Sequence, residues 1–235
     1  MRNRVAVLIL FTSGLFAQTA RVPFVGCAQD GQAGPVGAPE GNDVPVEVEP
    51  RVARRLAFYS SGGSFGVLAP RGWYCFGLDG SSGELLVSPR PINAHDFFPV
   101  AGPAVELNAI EGGGPGTALA VEVWARAFPA LWPIVKGLIS NGDLPAGEYT
   151  FGPYPKDKLI AQTERIVQFQ TPPHSEGLGT MSHFKANDDP IDGVAILQGQ
   201  PPDLLVLRVR MPPGQRDLTP VIIKDLLLRQ RNNSR

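Results

Sequence analysis

The sequence has no uncharged apolar run long enough to cross a bilayer, which takes about 20 residues at 1.5 Å rise each. Its longest candidate, "VAVLILFTSGLFA" at residues 5–17, falls short of that. An excess of one charge is missing too. The 21 Lys and Arg against 22 Asp and Glu leave a formal charge of −1, with the signs interspersed. That balance excludes a nucleic-acid surface or a polybasic membrane patch. Cysteine is limited to Cys27 and Cys75, and histidine to His95, His174 and His183. No Gly-Lys-Ser or Gly-Lys-Thr occurs, so no Walker loop is present. Counted from Gly112, "GGGPGT" puts Thr117 where a dinucleotide loop needs its third glycine. No cofactor is implied.

The first residues follow another pattern. Arg2 and Arg4 precede the short apolar run, and small residues follow it, as in a secretory signal peptide over residues 1–20, cleaved near Ala17 or Ala20. Export predicts a periplasmic or secreted protein in an oxidising compartment. Two cysteines there read as one disulfide, Cys27 to Cys75. The competing reading is a lipid on Cys27, because "FVGC" superficially resembles a bacterial lipoprotein box. Phe24 stands where an aliphatic residue is usual, and Arg21 and Pro23 interrupt the passage from apolar core to cysteine, so lipidation is disfavoured.

With 27 Gly and 24 Pro, turns are many and helices few or short. Residues 21–50 read as a Gly/Pro-rich strap and residues 51–235 as a single domain. "PRVARRLAFYS" suggests a helix starting at Pro50, with Val52, Leu56 and Tyr59 along one face. Short strands follow, carrying Phe65, Val67 and Ala69, then Trp73 and Cys75, then Leu85 to Ser88, then Val105, Leu107 and Ala109. Residues 117–140 read as helix broken before Pro129, with Thr117 as a cap. Strands return around Val167 and Phe169, in "DGVAILQ" and in "DLLVLRVRMPP". In the last, Leu205, Leu207, Val209 and Met211 point inward, and Val206, Arg208 and Arg210 the other way, as in a sheet with one solvated face. A terminal helix capped by Asp217 closes the chain, burying Leu218, Val221, Ile222, Leu226 and Leu227. The order implies an α+β fold: a mainly antiparallel sheet packed against a few helices, including a C-terminal one.

At Phe24 to Cys27, Asp30 to Gln32, Gly34 and Pro35, and again at Pro70 to Trp73 and Cys75 to Gly77, the chain resembles a family of exported bacterial proteins of unknown function. These share an FVGC-x-x-DGQ-x-GP start and a later PRGW-x-CFG segment. The resemblance implies export and supports pairing the two cysteines. It carries no activity and no catalytic residue.

Candidate chemistry is sparse. His95 lies beside Asp96, a loop histidine rather than half of a triad on this spacing. His174 and His183 flank "SEGLGTMS", with Asp188, Asp189 and Asp192 soon after. Their spacing fits no zinc motif, and a calcium loop counted from Asp188 would have Pro190 third and Gly199 twelfth, so no metal is assigned. Tyr74 and Phe76 could line a ligand surface. The function expected is a non-catalytic module of the cell envelope that binds a ligand or partner protein. The alternative is an envelope hydrolase using a histidine–carboxylate pair at His95 or in the His174/His183 region.

Overall fold

The computed structural model describes residues 19–32, 34–63, 65–92, 99–199 and 202–233. His95 and Asp96, and residues 1–18, lie outside them. The strap is paired in short strands: β1 (Thr19–Val22), β2 (Phe24–Gly26), β3 (Gln29–Gly31) and β4 (Val44–Glu47), with β1 antiparallel to β4. Gly and Pro keep these strands to three or four residues without abolishing pairing.

The helix expected at Pro50 is a single turn, α1 (Pro50–Ala53), and the chain then enters β5 (Leu56–Gly62). Leu56, Ala57, Phe58 and Tyr59 are buried in succession. A helical stripe buries one residue in three or four, whereas a strand covered on both faces buries all of them. The unbroken burial therefore marks β5 as a strand, the central one of a small sheet, between β2 on one edge and β6 (Phe65–Pro70) on the other.

A second sheet has eight strands. In chain order it takes β3, β7 (Tyr74–Asp79), β8 (Ser82–Ser88), β9 (Ala104–Ile110), β10 (Lys158–Gln162), β11 (Ile166–Thr171), β12 (Ile191–Gln198) and β13 (Asp203–Arg210). Its spatial order is β10-β11-β12-β13-β9-β8-β7-β3, antiparallel except for β3 against β7. Helices α2 (Thr117–Ala127) and α3 (Trp132–Ser140) break at Phe128, before Pro129, as the sequence indicates. The last helix, α4 (Thr219–Asn233), begins beyond Asp217. Asp217 lies in a preceding 3-10 turn and pairs with Arg55, so it does not cap the helix. Thr117 is likewise no cap: it is the first residue of α2, and its hydroxyl reaches back to the Gly112 carbonyl. The fold is α+β.

One face of the large sheet, with Leu85, Val105, Leu207 and Val209, packs on the three-stranded sheet and on Ile222 and Leu226 of α4. The other face was expected to meet water and does not. Ala120, Val121 and Trp124 of α2 cover Val206 and Phe169, and Val100 and Phe184 of two loops cover the region of Leu86 and Ala104. Arg208 and Arg210 are therefore buried, at 2% and 0% exposure.

The predicted disulfide is present, with the Cys27 and Cys75 Cα atoms 5.3 Å apart. Cys27 sits where the chain leaves the small sheet at β2 and enters the large one at β3, so the bridge to β7 ties both sheets together. Two glycines permit that crossing. A Cβ on Gly26 would stand 1.9 Å from the Pro39 carbonyl oxygen. One on Gly31, at φ +152°, would stand 1.9 Å from that of Asp79. In the Pro70–Trp73 turn, Tyr59 Oη donates to the Pro70 carbonyl at 2.8 Å and accepts from the Trp73 amide at 3.0 Å.

Candidate functional site

Two places gather polar chemistry. The first lies on the face of the sheet that covers Arg208. Glu84 of β8 and Glu106 and Asn108 of β9 point to this face, and Arg208 of β13 stands directly across from Glu106. Arg208 Nη1 donates to Glu106 Oε2 at 3.2 Å and to Asn108 Oδ1 at 2.7 Å, while its Nε donates to the Leu178 carbonyl at 3.0 Å. Ser182 Oγ donates to the same Glu106 Oε2 at 2.6 Å. His183 Nε2 lies 3.2 Å from Glu84 Oε2.

The loop that brings Ser182 and His183 here is anchored at both ends. Asp157 accepts from Thr171 Oγ1 and from the Leu178 amide, each at 2.7 Å. Arg210 donates to the Lys185 carbonyl and lies over the Phe184 ring, 4.8 Å from its centroid. That guanidinium is spent on carbonyl groups rather than on a carboxylate, and its burial pulls its pKa down to about 10. The cluster is thus held by β8, β9, β13 and one loop, with little freedom to rearrange.

Burial governs its titration. It pushes Glu106 up to about 7; Arg208 opposes the rise, while the charge of the Glu84 carboxyl, close enough to share a proton with it, adds to it. Glu84 is raised for the same first reason. His183 is pulled below its ordinary value by desolvation, against the pull of Glu106. Two carboxyls this close share a proton more readily than they ionise together. Between pH 4.5, where an unfolded glutamate titrates, and about 7, folded Glu106 holds a proton that the unfolded chain has released. Its contribution to stability is full below 4.5 and lost as pH rises through about 7. His183 works in the opposite sense, opposing folding as pH falls below 6.5. Urea unfolding of chelator-treated protein across this range should therefore show a steeper fall in stability with pH in the wild type than in Glu106→Gln. Parallel profiles would refute the assignment.

The second place is a cleft of about 1370 Å³ on the opposite face, between α4 and the strands β10 to β12. Lys224, Leu227, Leu228 and Arg231, spaced i, i+3, i+4 and i+7, present one stripe of α4 to it. Ile166, Ile196 and Leu205 form the apolar floor, and Phe65 of β6 closes one side. Arg165 adds a third cation, held by the Leu197 and Gly199 carbonyls at 3.3 and 3.4 Å. Among the described residues, no carboxylate lines the cleft.

The chain matches no family model, no curated protein and no solved structure. What it does has to be read from these two places.

The residues singled out in the sequence scatter. His174 Nε2 pairs with Asp188 Oδ1 at 2.9 Å, but both side chains are exposed, at 69% and 93%. Asp189 pairs with Arg216, and Asp192 accepts from Gln170 at 2.8 Å. The two described histidines thus keep separate carboxylates. Only His183 joins the buried cluster, and its partner is Glu84, which the sequence did not single out. Tyr74 is exposed and Phe76 packs beside Leu86, so neither lines the cleft. Gly62 to Gly66 has the letters of a G-x-S-x-G elbow; its Ser64 lies outside the described residues, and the segments on either side are antiparallel β5 and β6, whereas an elbow joins a strand to a helix.

Proposed function

We infer that the protein is an exported, non-catalytic binding module of the bacterial cell envelope, and that its ligand is an anionic amphiphile held in the cleft beside α4. One observation carries the ligand class: an apolar cleft of about 1370 Å³ edged by Lys224, Arg231 and Arg165 and by no carboxylate among the described residues. An alkyl chain would lie on Ile166, Ile196, Leu205 and Leu227, with its acidic head between the cations. Export is supported by the basic start and apolar run of the leader, and by a disulfide, which persists in an oxidising compartment. Among the described residues, no helix is long and apolar enough to cross a membrane. Strand β1 begins at Thr19, so leader removal after Ala17 preserves its pairing with β4, whereas removal after Ala20 deletes half of it. Periplasmic or secreted placement follows, with residues 21–50 as a strap and residues 51–235 as the domain it fastens.

Titration with a fluorescent long-chain fatty acid should show saturable binding of one ligand per chain. A charge-assisted hydrogen bond is worth about 1.5–3 kcal/mol, so Lys224→Glu with Arg231→Glu should weaken binding by about tenfold or more. Equal affinity for the corresponding alcohol would remove the anionic head from the proposal, and no saturable binding would remove the amphiphile.

The hydrolase alternative has one observation in its favour, the His183–Glu84 pair. A nucleophile activated by it would have to donate to His183. The adjacent Ser182 hydroxyl donates to Glu106 instead, so binding is the stronger reading.

A further inference from the structure

We propose that Glu84, Glu106 and His183 form a binding site for one divalent transition-metal ion, zinc foremost. The three side chains come from β8, from β9 and from the loop beyond the 3-10 turn at Leu178–Thr180, yet their donor atoms all lie within 4.8 Å of one another. The site is on the face of the sheet opposite the amphiphile cleft and is independent of it.

The second observation is an orphaned pair of oxygens. Glu84 Oε1 and Glu106 Oε1 are buried with no hydrogen-bond donor, in side chains 8% and 0% exposed. Leaving a buried acceptor unsatisfied costs about 1–3 kcal/mol, and more for a charged group. Something positive belongs between these carboxyls, either a shared proton or a cation. The groups around Glu106 favour a cation. Ser182 and Arg208 both take Oε2, which fixes the carboxylate plane and leaves Oε1 as the free lone-pair donor. That is the outer-shell arrangement that orients a metal-ligating carboxylate. Two carboxylates against one guanidinium leave the cluster one negative charge in excess when both are ionised.

The donor set selects the class of ion. Both cysteines are consumed in the disulfide, so thiolate-seeking copper(I) and iron–sulfur clusters have no ligand here. An imidazole beside two carboxylates suits zinc, and manganese less tightly, whereas calcium and magnesium prefer all-oxygen shells. His183, with 35% of its side chain exposed, forms the mouth through which an ion would enter and leaves room for water as a further ligand.

The test uses the purified chain without a histidine tag, stripped with a chelator and dialysed, then titrated with zinc chloride by calorimetry and followed by thermal unfolding. One zinc ion per chain should bind and raise the unfolding temperature, with manganese weaker and magnesium without effect. Losing an outer-shell partner costs a metal site about 10–100-fold in affinity. His183→Ala and Glu84→Gln, which remove ligands themselves, should each weaken zinc by at least that range. His174→Ala should leave affinity unchanged. If Glu84→Gln does not fold, His183→Ala, at the exposed edge of the cluster, decides alone. Absence of saturable zinc binding would leave a shared proton as the only occupant and overturn the proposal. So would wild-type affinity in His183→Ala, or loss of binding in His174→Ala, which would put the ion on the exposed His174–Asp188 pair.

Discussion

Arg208→Met should lower folding stability by about 3–5 kcal/mol, the range for breaking one side of a buried ion pair. The side chain it replaces is 2% exposed and makes three hydrogen bonds, to Glu106, to Asn108 and to the Leu178 carbonyl. Methionine fills much of the space but satisfies none of the three acceptors. Glu106 would then be buried beside Glu84 with no cation facing it. The loss should be largest above about pH 7, where Glu106 would otherwise ionise, so urea unfolding is best measured at pH 8 in the presence of a chelator. Adding Glu106→Leu to the same chain should recover a substantial part of the loss, because a buried pair can often be exchanged for apolar residues of similar volume. A single-variant loss under about 1 kcal/mol would show that the pair contributes little. A double variant no better than the single would place the cost in the Leu178 and Asn108 contacts instead.

Cys27→Ser with Cys75→Ser is the other large effect. The bridge spans 48 residues of sequence, and the chain-entropy treatment gives roughly 4 kcal/mol for a loop of that length. Here the constraint acts at a junction with few other ties. On one side of Cys27, β2 has three residues paired in the small sheet; on the other, β3 has three paired in the large one. The Cys27 amide also donates to the Ser60 carbonyl at 2.8 Å, and the Gly77 amide to that of Ala28 at 2.9 Å. With the bridge gone, these short strands would have to hold the crossing alone. Besides the global loss, amide hydrogen exchange should accelerate most in residues 24–31, where local opening needs the fewest bonds broken. Uniform acceleration across β5 to β9, with no excess in the strap, would argue against this account of the bridge.

The disulfide was legible because counting allows one pairing, and the inward set of β13 because alternation is a strong signal. The other face of β13 was misread for a physical reason. Arginine in a strand normally marks the solvated side, and what covers Arg208 and Arg210 comes from elsewhere. Helix α2 covers Val206, whereas Arg208 and Arg210 lie under the loop of residues 172–190 and the segment at Val100 to Gly102, which have no periodicity to announce that they will pack on a sheet. Glu84 and Glu106 did carry a signal, each a lone acid in a strand buried on both faces, as in "GELLVS" and "AVELNAI". Reading them as a pair requires knowing that β8 and β9 are neighbours, and β9 and β13 as well. The helix expected over residues 50–59 failed because Val52, Leu56 and Tyr59 fit a helical stripe as well as they fit a turn followed by a strand. The polar side of α4 shows Lys224 and Arg231 on one stripe with Leu227 and Leu228, but not the uncovered strands that make a cleft of it.

The order of strands has a consequence for how the chain finds its structure. Strands β7, β8 and β9 form one meander, and β10 to β13 another, each built from neighbours in sequence. Among the described strands, the pairing that joins them is the seam between β9 and β13, seven residue pairs across roughly a hundred residues of chain. As the chain is synthesised, the first meander must wait for the last strand to emerge, with an unpaired edge meanwhile. When the seam closes, a slip of one residue would carry Arg208 through to the apolar side, among Leu107 and Val105. The guanidinium facing Glu106 therefore acts as a register key against odd slips: the two halves cannot zip one residue out of alignment without stranding a charge in hydrocarbon.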